Sequence, residues 1–187
     1  MRAQPVNISA YVFDFDDTIA VTDAKIKVLR NGVFQKELTP KQFNTYKLLK
    51  GETYNFDDFH DGELILKAKK YKMWPLINNI SKAIHEDGKV ADIYILTARS
   101  NQVKSFIYEF LKRNGIEIDI KHVLTIGDHP KNTTVSAEKH RLLTALTQKY
   151  KKVFFFDDDS KNIELARGIE GVRPLLVETL TQNRNIK

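Results

Sequence analysis

Three carboxylates, Asp14, Asp16 and Asp17, fall within four positions where the apolar run of residues 11–20, Tyr-Val-Phe-Asp-Phe-Asp-Asp-Thr-Ile-Ala, breaks off. A second group, Asp157, Asp158 and Asp159, closes an equally apolar run at Phe154–Phe156. Like charges so close repel, and a cation between them removes the repulsion. All-oxygen donors with no His or Cys cluster beside them favour Mg²⁺. Mg²⁺ held by few carboxylates keeps waters and open positions, which suits phosphate chemistry. Asp14 and Asp16 lie two residues apart in an extended segment, so their side chains project to the same side. A lone aspartate after a strand also serves as a turn or cap residue. Asp17 reads that way, and Asp159 reads as a cap of the next helix alongside Ser160.

These residues need strands to position them. Four apolar runs, Ala10–Phe13, Val90–Leu96, Val123–Ile126 and Val153–Phe156, are strand-length and apolar throughout, as in parallel strands buried on both faces. Helical spacing fills the intervals. Ser100–Arg113 carries Val103, Phe106, Ile107, Phe110 and Leu111, with Asn114-Gly115 as its stop. Thr134 or Ser136 caps a helix running to about Tyr150, and Ser160 opens one that ends at Gly168. Arg173–Val177 is an edge-strand candidate because of Pro174. Alternating strands and helices define a doubly wound α/β sheet with ligands at the carboxyl ends of its strands. Asp14, Asp16 and Thr18 follow the first strand. Thr97 and Arg99 follow the second, Gly127 and Asp128 the third, and Asp157 and Asp158 the fourth.

Residues 22–73 are too long for a simple crossover and are expected to form a flap or small cap within one domain spanning 1–187. Ala24–Leu38 reads as a hairpin around Asn31-Gly32. A short helix is expected near Pro40–Lys50, and Met73–Asp87 should be the helix entering the second core strand. Gly51–Lys67 has no clear period. Tyr54, Phe56 and Phe59 suit a small core, or a platform for stacking bases.

The chain has 187 residues, enough for one full core, and neither a cysteine nor an apolar stretch of membrane-spanning length. Its start lacks a signal-peptide core, so a cytoplasmic protein without a membrane partner is expected. A net charge of +6, with lysines at 67–72 and 149–152 and a basic tail at 183–187, admits a polyanion partner or simply a solvated surface. The five histidines show no metal-ligand spacing and read as surface or loop residues.

In order along the chain come Asp14-Phe-Asp-Asp-Thr18, Ile95-Leu-Thr97, Lys139 at a helix start and Phe154-Phe-Phe-Asp-Asp-Asp-Ser-Lys-Asn-Ile163. This series resembles the four motifs of the haloacid dehalogenase superfamily of phosphohydrolases, with residues 22–73 outside the match. The chain also resembles phage-encoded members in Glu37-Leu-Thr39, Phe43-Asn-Thr-Tyr46 and the Gly51–Phe56 segment, which would put it in a host's cytoplasm. The resemblance implies a three-layer Rossmannoid sandwich and makes Asp14 the nucleophile. It makes Asp16 the proton donor and acceptor, and Asp14, the Asp16 carbonyl and Asp158 the Mg²⁺ ligands, with Asp157 assisting. It implies that Thr97, with Thr18, binds phosphate. Lys139 would offset the negative charge, although Lys131 competes for that role. Arg99 reaches phosphate or pairs with an acid.

The expectation is a Mg²⁺-dependent phosphomonoesterase forming an aspartyl-phosphate, acting on nucleotides or phosphorylated nucleic-acid ends. A phosphatase for small metabolites such as sugar phosphates is the alternative within enzymes. A non-catalytic binding protein of the same fold is the alternative outside them. Nothing in the sequence sets the oligomeric state.

Overall fold

In a computed structural model of the chain, residues 9–43, 45–86 and 90–178 are described. The amino-terminal residues and the basic tail lie outside them. The strands are β1 (Ser9–Phe13), β2 (Ala20–Val21), β3 (Ile26–Arg30), β4 (Val33–Leu38), β5 (Glu52–Asn55), β6 (Lys69–Lys70), β7 (Ala91–Thr97), β8 (Val123–Thr125), β9 (Lys152–Asp157) and β10 (Val172–Leu176). The α-helices are α1 (Pro40–Phe43), α2 (Gly62–Leu66), α3 (Trp74–His85), α4 (Lys104–Arg113), α5 (Val135–Thr147) and α6 (Ser160–Arg167).

The apolar runs pair as one parallel sheet in the order β10-β9-β1-β7-β8. Alternate side chains of these strands meet different helices, as a two-residue period requires. Phe13, Ile93, Ile95 and Phe156 pack with Trp74 and Ile77 of α3 and Ile107, Phe110 and Leu111 of α4. Ala10, Val12, Tyr94, Leu96, Val153 and Phe155 pack instead with Leu143 and Leu146 of α5 and Ile163 and Ala166 of α6. The result is the three-layer α/β sandwich that the sequence pattern implies. β10 pairs only with β9 among the described strands, which tolerates Pro174 and its missing N–H.

The segment 22–73 has two parts. β3 and β4 form the expected hairpin, with Asn31 at φ 51° and Gly32 at φ 80° supplying the positive angles that a tight two-residue turn needs. β5 adds to β3, giving a three-stranded antiparallel sheet with its own small core of Ile26, Val28 and Leu38. The helix expected over Pro40–Lys50 stops at Phe43. Glu52 explains the shortfall: its carboxylate accepts from Leu49 N at 2.8 Å and from the Tyr46 hydroxyl at 2.8 Å, holding this stretch as a loop. The later part returns to the main domain. Ile65 of α2 and Met73 sit in the same core as Phe13. Gly62 lies so close to Phe106 of α4 that a Cβ would fall 2.4 Å from its ring. No helix among the described residues is long and apolar enough to cross a membrane.

Candidate active site

β1 is central, and its register aligns Phe13 with Phe156 of β9 on one side and Ile95 of β7 on the other. The next residues therefore emerge together at the carboxyl edge, and Asp14 N donates to Phe156 O at 2.9 Å. A cavity of 570 Å³ opens there, lined by Asp14, Asp16, Asp17, Thr97, Arg99, Lys139, Asp157 and Asp158 among others.

Asp14 and Asp157 share Lys139. Its ammonium donates to Asp14 Oδ1 at 2.6 Å and to Asp157 Oδ2 at 2.7 Å, and the lysine is only 3% exposed. α5 delivers it: Thr134 caps the helix by accepting from Ala137 N, and Lys139 heads the buried stripe that continues through Leu143 and Leu146. Burial works against the ammonium, but Asp14 and Asp157 more than offset it and hold the proton more tightly than usual. Asp157 is further fixed by Asp159 N on Oδ1 at 2.8 Å and by the Asn162 amide on Oδ2 at 3.0 Å. Ser136 in turn donates to Asn162 Oδ1 at 2.7 Å. Lys139, not Lys131, is thus the lysine at the carboxylates.

One oxygen each from Asp14, Asp157 and Asp158 lies within 4.8 Å of the others. Burial pushes the Asp14 carboxyl well up; Lys139 opposes this, and Asp157, Asp158 and Asp16 add to it. Asp158 is pushed up to about 7 by burial, then by Asp157 and Asp17. Three crowded carboxylates against one lysine leave negative charge to neutralise, and their hard oxygen donors fit a divalent cation such as Mg²⁺. With both oxygens of Asp157 already engaged, Asp14 and Asp158 are the freer ligands.

Asp16 faces Arg99. The guanidinium makes two parallel bonds to its carboxylate and donates with its remaining groups to Phe59 O at 3.2 Å and Thr22 Oγ1 at 2.9 Å. Of the two roles open to Arg99 in the sequence, pairing with an acid is present, and the residue also lines the cavity. Thr97 lines the cavity, and its Oγ1 accepts from Arg99 N at 3.3 Å, which leaves its hydroxyl proton free to donate. Gly127 permits this arrangement. A Cβ there would lie 2.5 Å from Ala98 O, so only glycine lets the loop after β8 press against the loop carrying Arg99.

Thr18 requires a correction. It is fully buried and does not line the cavity, and its hydroxyl is the buried side-chain group without a partner among the described residues. Its carbonyl accepts from Met73 N instead, so it ties the turn after β1 to the start of α3. Asp17 does occupy that turn, at φ 55° with its N–H on Ala20 O, yet its side chain also lines the cavity. Asp159 caps α6 as expected, accepting from Lys161 N. His60 and His129, read from sequence as generic surface residues, line the cavity, as does Phe43. No periodic or spacing signal marks these three.

No family model and no curated protein gives a significant match to the sequence. Among solved structures, the fold is similar to a chain in the structure of the Pnkp1/Rnl/Hen1 complex. That match has 16% identity over 92% of this chain and 47% of that one, with a TM-score of 0.54. A chain of the Pnkp1/Rnl/Hen1 RNA repair complex gives 15% identity over 94% and 44%, with a TM-score of 0.55. This chain thus spans less than half the length of both. The HAD domain of the effector protein Lem4 from Legionella pneumophila gives 13% identity over 97% and 96%, with a TM-score of 0.47. At these identities the likeness concerns fold alone. The fold is α/β, a central parallel sheet with helices packed on both faces.

Proposed function

We propose that this protein is a Mg²⁺-dependent phosphomonoesterase that works through an aspartyl-phosphate on Asp14, with a nucleotide or a phosphorylated nucleic-acid end as substrate. The observation that carries the reading is the pairing of Asp14 with Lys139 inside a cavity that also holds Asp16, Thr97 and Asp158. A buried carboxylate with one oxygen on a lysine keeps the other available for attack on phosphorus. As the new O–P bond forms, the ester P–O bond breaks and Asp16 supplies a proton to the leaving oxygen. Water then attacks phosphorus, Asp16 takes up its proton, and inorganic phosphate leaves with Asp14 restored. Lys139 offsets charge on the nucleophile and the phosphoryl oxygens, and the Thr97 hydroxyl donates to one of them. Arg99 fixes the Asp16 rotamer. Asp14, Asp158 and the Asp16 carbonyl would hold Mg²⁺, which when bound supplies charge neutralisation to the phosphoryl group.

The substrate class rests on the net positive charge and the aromatic side chains at the cavity. The RNA repair setting belongs to the neighbouring complex, and its likeness to this chain is one of fold. A screen over an aryl phosphate, nucleoside 3′- and 5′-monophosphates, phosphorylated oligonucleotide ends and sugar phosphates tests both parts. Turnover confined to sugar phosphates would replace the nucleotide reading with that of a metabolite phosphatase. No turnover of any ester with Mg²⁺ would leave a binding protein.

A further inference from the structure

The phosphoryl chemistry uses the strand ends and α5, but much of the cavity is lined from elsewhere. Ile26, Pro40, Phe43, Phe56 and Phe59, all from the segment 22–73, contribute an apolar wall, to which the same segment adds one polar side chain, His60. Within it the rings brace each other edge to face: Phe43 to Phe56 at 5.5 Å and 84°, and Phe56 to Phe59 at 6.3 Å and 74°. Tyr54 adds a tilted contact to Phe56 at 5.9 Å. Phe59 is already engaged, since the Arg99 guanidinium stacks 4.9 Å from its centroid. Phe56 remains 39% exposed at the cavity, an arrangement that leaves apolar ring surface in water until something covers it.

This wall discriminates between leaving groups. A sugar brings hydroxyls that the phenyl rings themselves cannot pair, leaving them only the polar side chains elsewhere in the cavity. A nucleobase brings a flat π-face, which every base has, and aromatic stacking tolerates any of them. The cavity volume of 570 Å³ falls within the range of about 300–1,000 Å³ typical of small-molecule sites. We propose that the leaving group is a nucleoside whose base packs on Phe56. The substrate is then a base-bearing phosphomonoester, either a free nucleotide or the terminal nucleotide of a strand. This rests on the phosphatase reading above and goes beyond it by giving the wall, rather than the floor, the choice of substrate.

The test is steady-state kinetics with Mg²⁺ on a nucleoside monophosphate, an oligonucleotide ending in that nucleotide, a hexose phosphate and glycerol phosphate. Phe56→Ala should raise KM for the two base-bearing substrates by about 5- to 100-fold and leave the other two within about twofold. Phe56→Trp should restore the wild-type pattern. KM does not depend on the folded fraction, so partial misfolding of a variant does not obscure the result. Equal changes on all four substrates, or no change, overturn the proposal. A selective rise in KM on either base-bearing substrate supports it, and salt sensitivity confined to the oligonucleotide identifies the strand end as the source. If the wild type hydrolyses none of the four, the phosphatase reading fails by itself. Calorimetric binding of the unphosphorylated nucleoside, present in wild type and lost in Phe56→Ala, then still decides the role of the wall.

Discussion

Arg99 grips Asp16 across 83 residues of sequence, Nε to Oδ2 at 2.9 Å and Nη2 to Oδ1 at 2.7 Å. The arginine is 2% exposed and lies between the rings of Phe15 and Phe59. Two parallel bonds fix the carboxylate plane as well as its position, which a lysine at the same place would not do. A double-mutant cycle with Asp16→Asn and Arg99→Gln should therefore return a coupling of about 1.5–3 kcal/mol in urea unfolding. Additive single effects would show that the pair is incidental.

Asp14→Asn should abolish turnover of an aryl phosphate while the chain stays folded. The substitution removes a charge that burial and neighbouring carboxylates disfavour, so the melting temperature should hold or rise. Retained turnover in this variant sinks the assignment of Asp14 as nucleophile.

Lys139→Met should behave differently. Removing the cation leaves Asp14 and Asp157 facing each other without compensation, and breaking one side of a buried ion pair costs about 3–5 kcal/mol. The loss should appear as a lower urea midpoint in the presence of a chelator, and Mg²⁺ should recover part of it. A midpoint close to wild type would mean that the carboxylates do not need the lysine.

Metal and pH are linked with a definite sign. The Asp158 carboxyl is raised from an ordinary 3.8 to about 7, and Asp14 is raised as well. The folded chain then holds protons that the unfolded chain releases, so these groups' contribution to stability is lost as pH rises from about 4 through about 7. A divalent cation needs the ionised carboxylates and competes with those protons. Mg²⁺ should raise the melting temperature more at pH 8 than at pH 5.5, measured by scanning fluorimetry against chelator-treated protein. An equal or larger shift at pH 5.5 counts against a carboxylate metal site.

Gly127→Ala tests the loop contact at the cavity edge. The added methyl must displace the Ala98–Ser100 backbone, at a cost of about 1–3 kcal/mol. Because that backbone carries Arg99 and follows Thr97, turnover should fall with it. Unchanged activity would show that the two loops move independently.

The central sheet was legible because its strands are apolar on both sides, and Tyr11-Val12-Phe13 visibly serves two cores at once. Asp14 and Asp157 were legible because each ends such a run, and Lys139 because its motif position coincides with the start of the buried stripe on α5. The fate of Arg99 was not legible, since its carboxylate partner comes from a different strand end and its other contacts from the segment 22–73. Thr18 followed the carboxylates in sequence but turns into the core, because the backbone reverses at Asp17. In Gly51–Lys67 each element is five residues or fewer, too short for a period to show.

The seating of α2 has a consequence for how this protein can be cut and rejoined. A deletion of the whole segment from Thr22 to Met73 would remove Ile65 from the core it shares with Phe13 and leave Phe106 without the helix pressed against it. It would also remove Met73, whose N–H is held by the carbonyl of Thr18. The three-stranded sheet is the separable part of the segment, provided that Thr22 and Phe59, which hold Arg99, are kept, and α2 and Met73 belong to the main core. A chimera that exchanges this sheet should therefore be joined on the amino-terminal side of Phe59, so that the Arg99 contacts and α2 are retained.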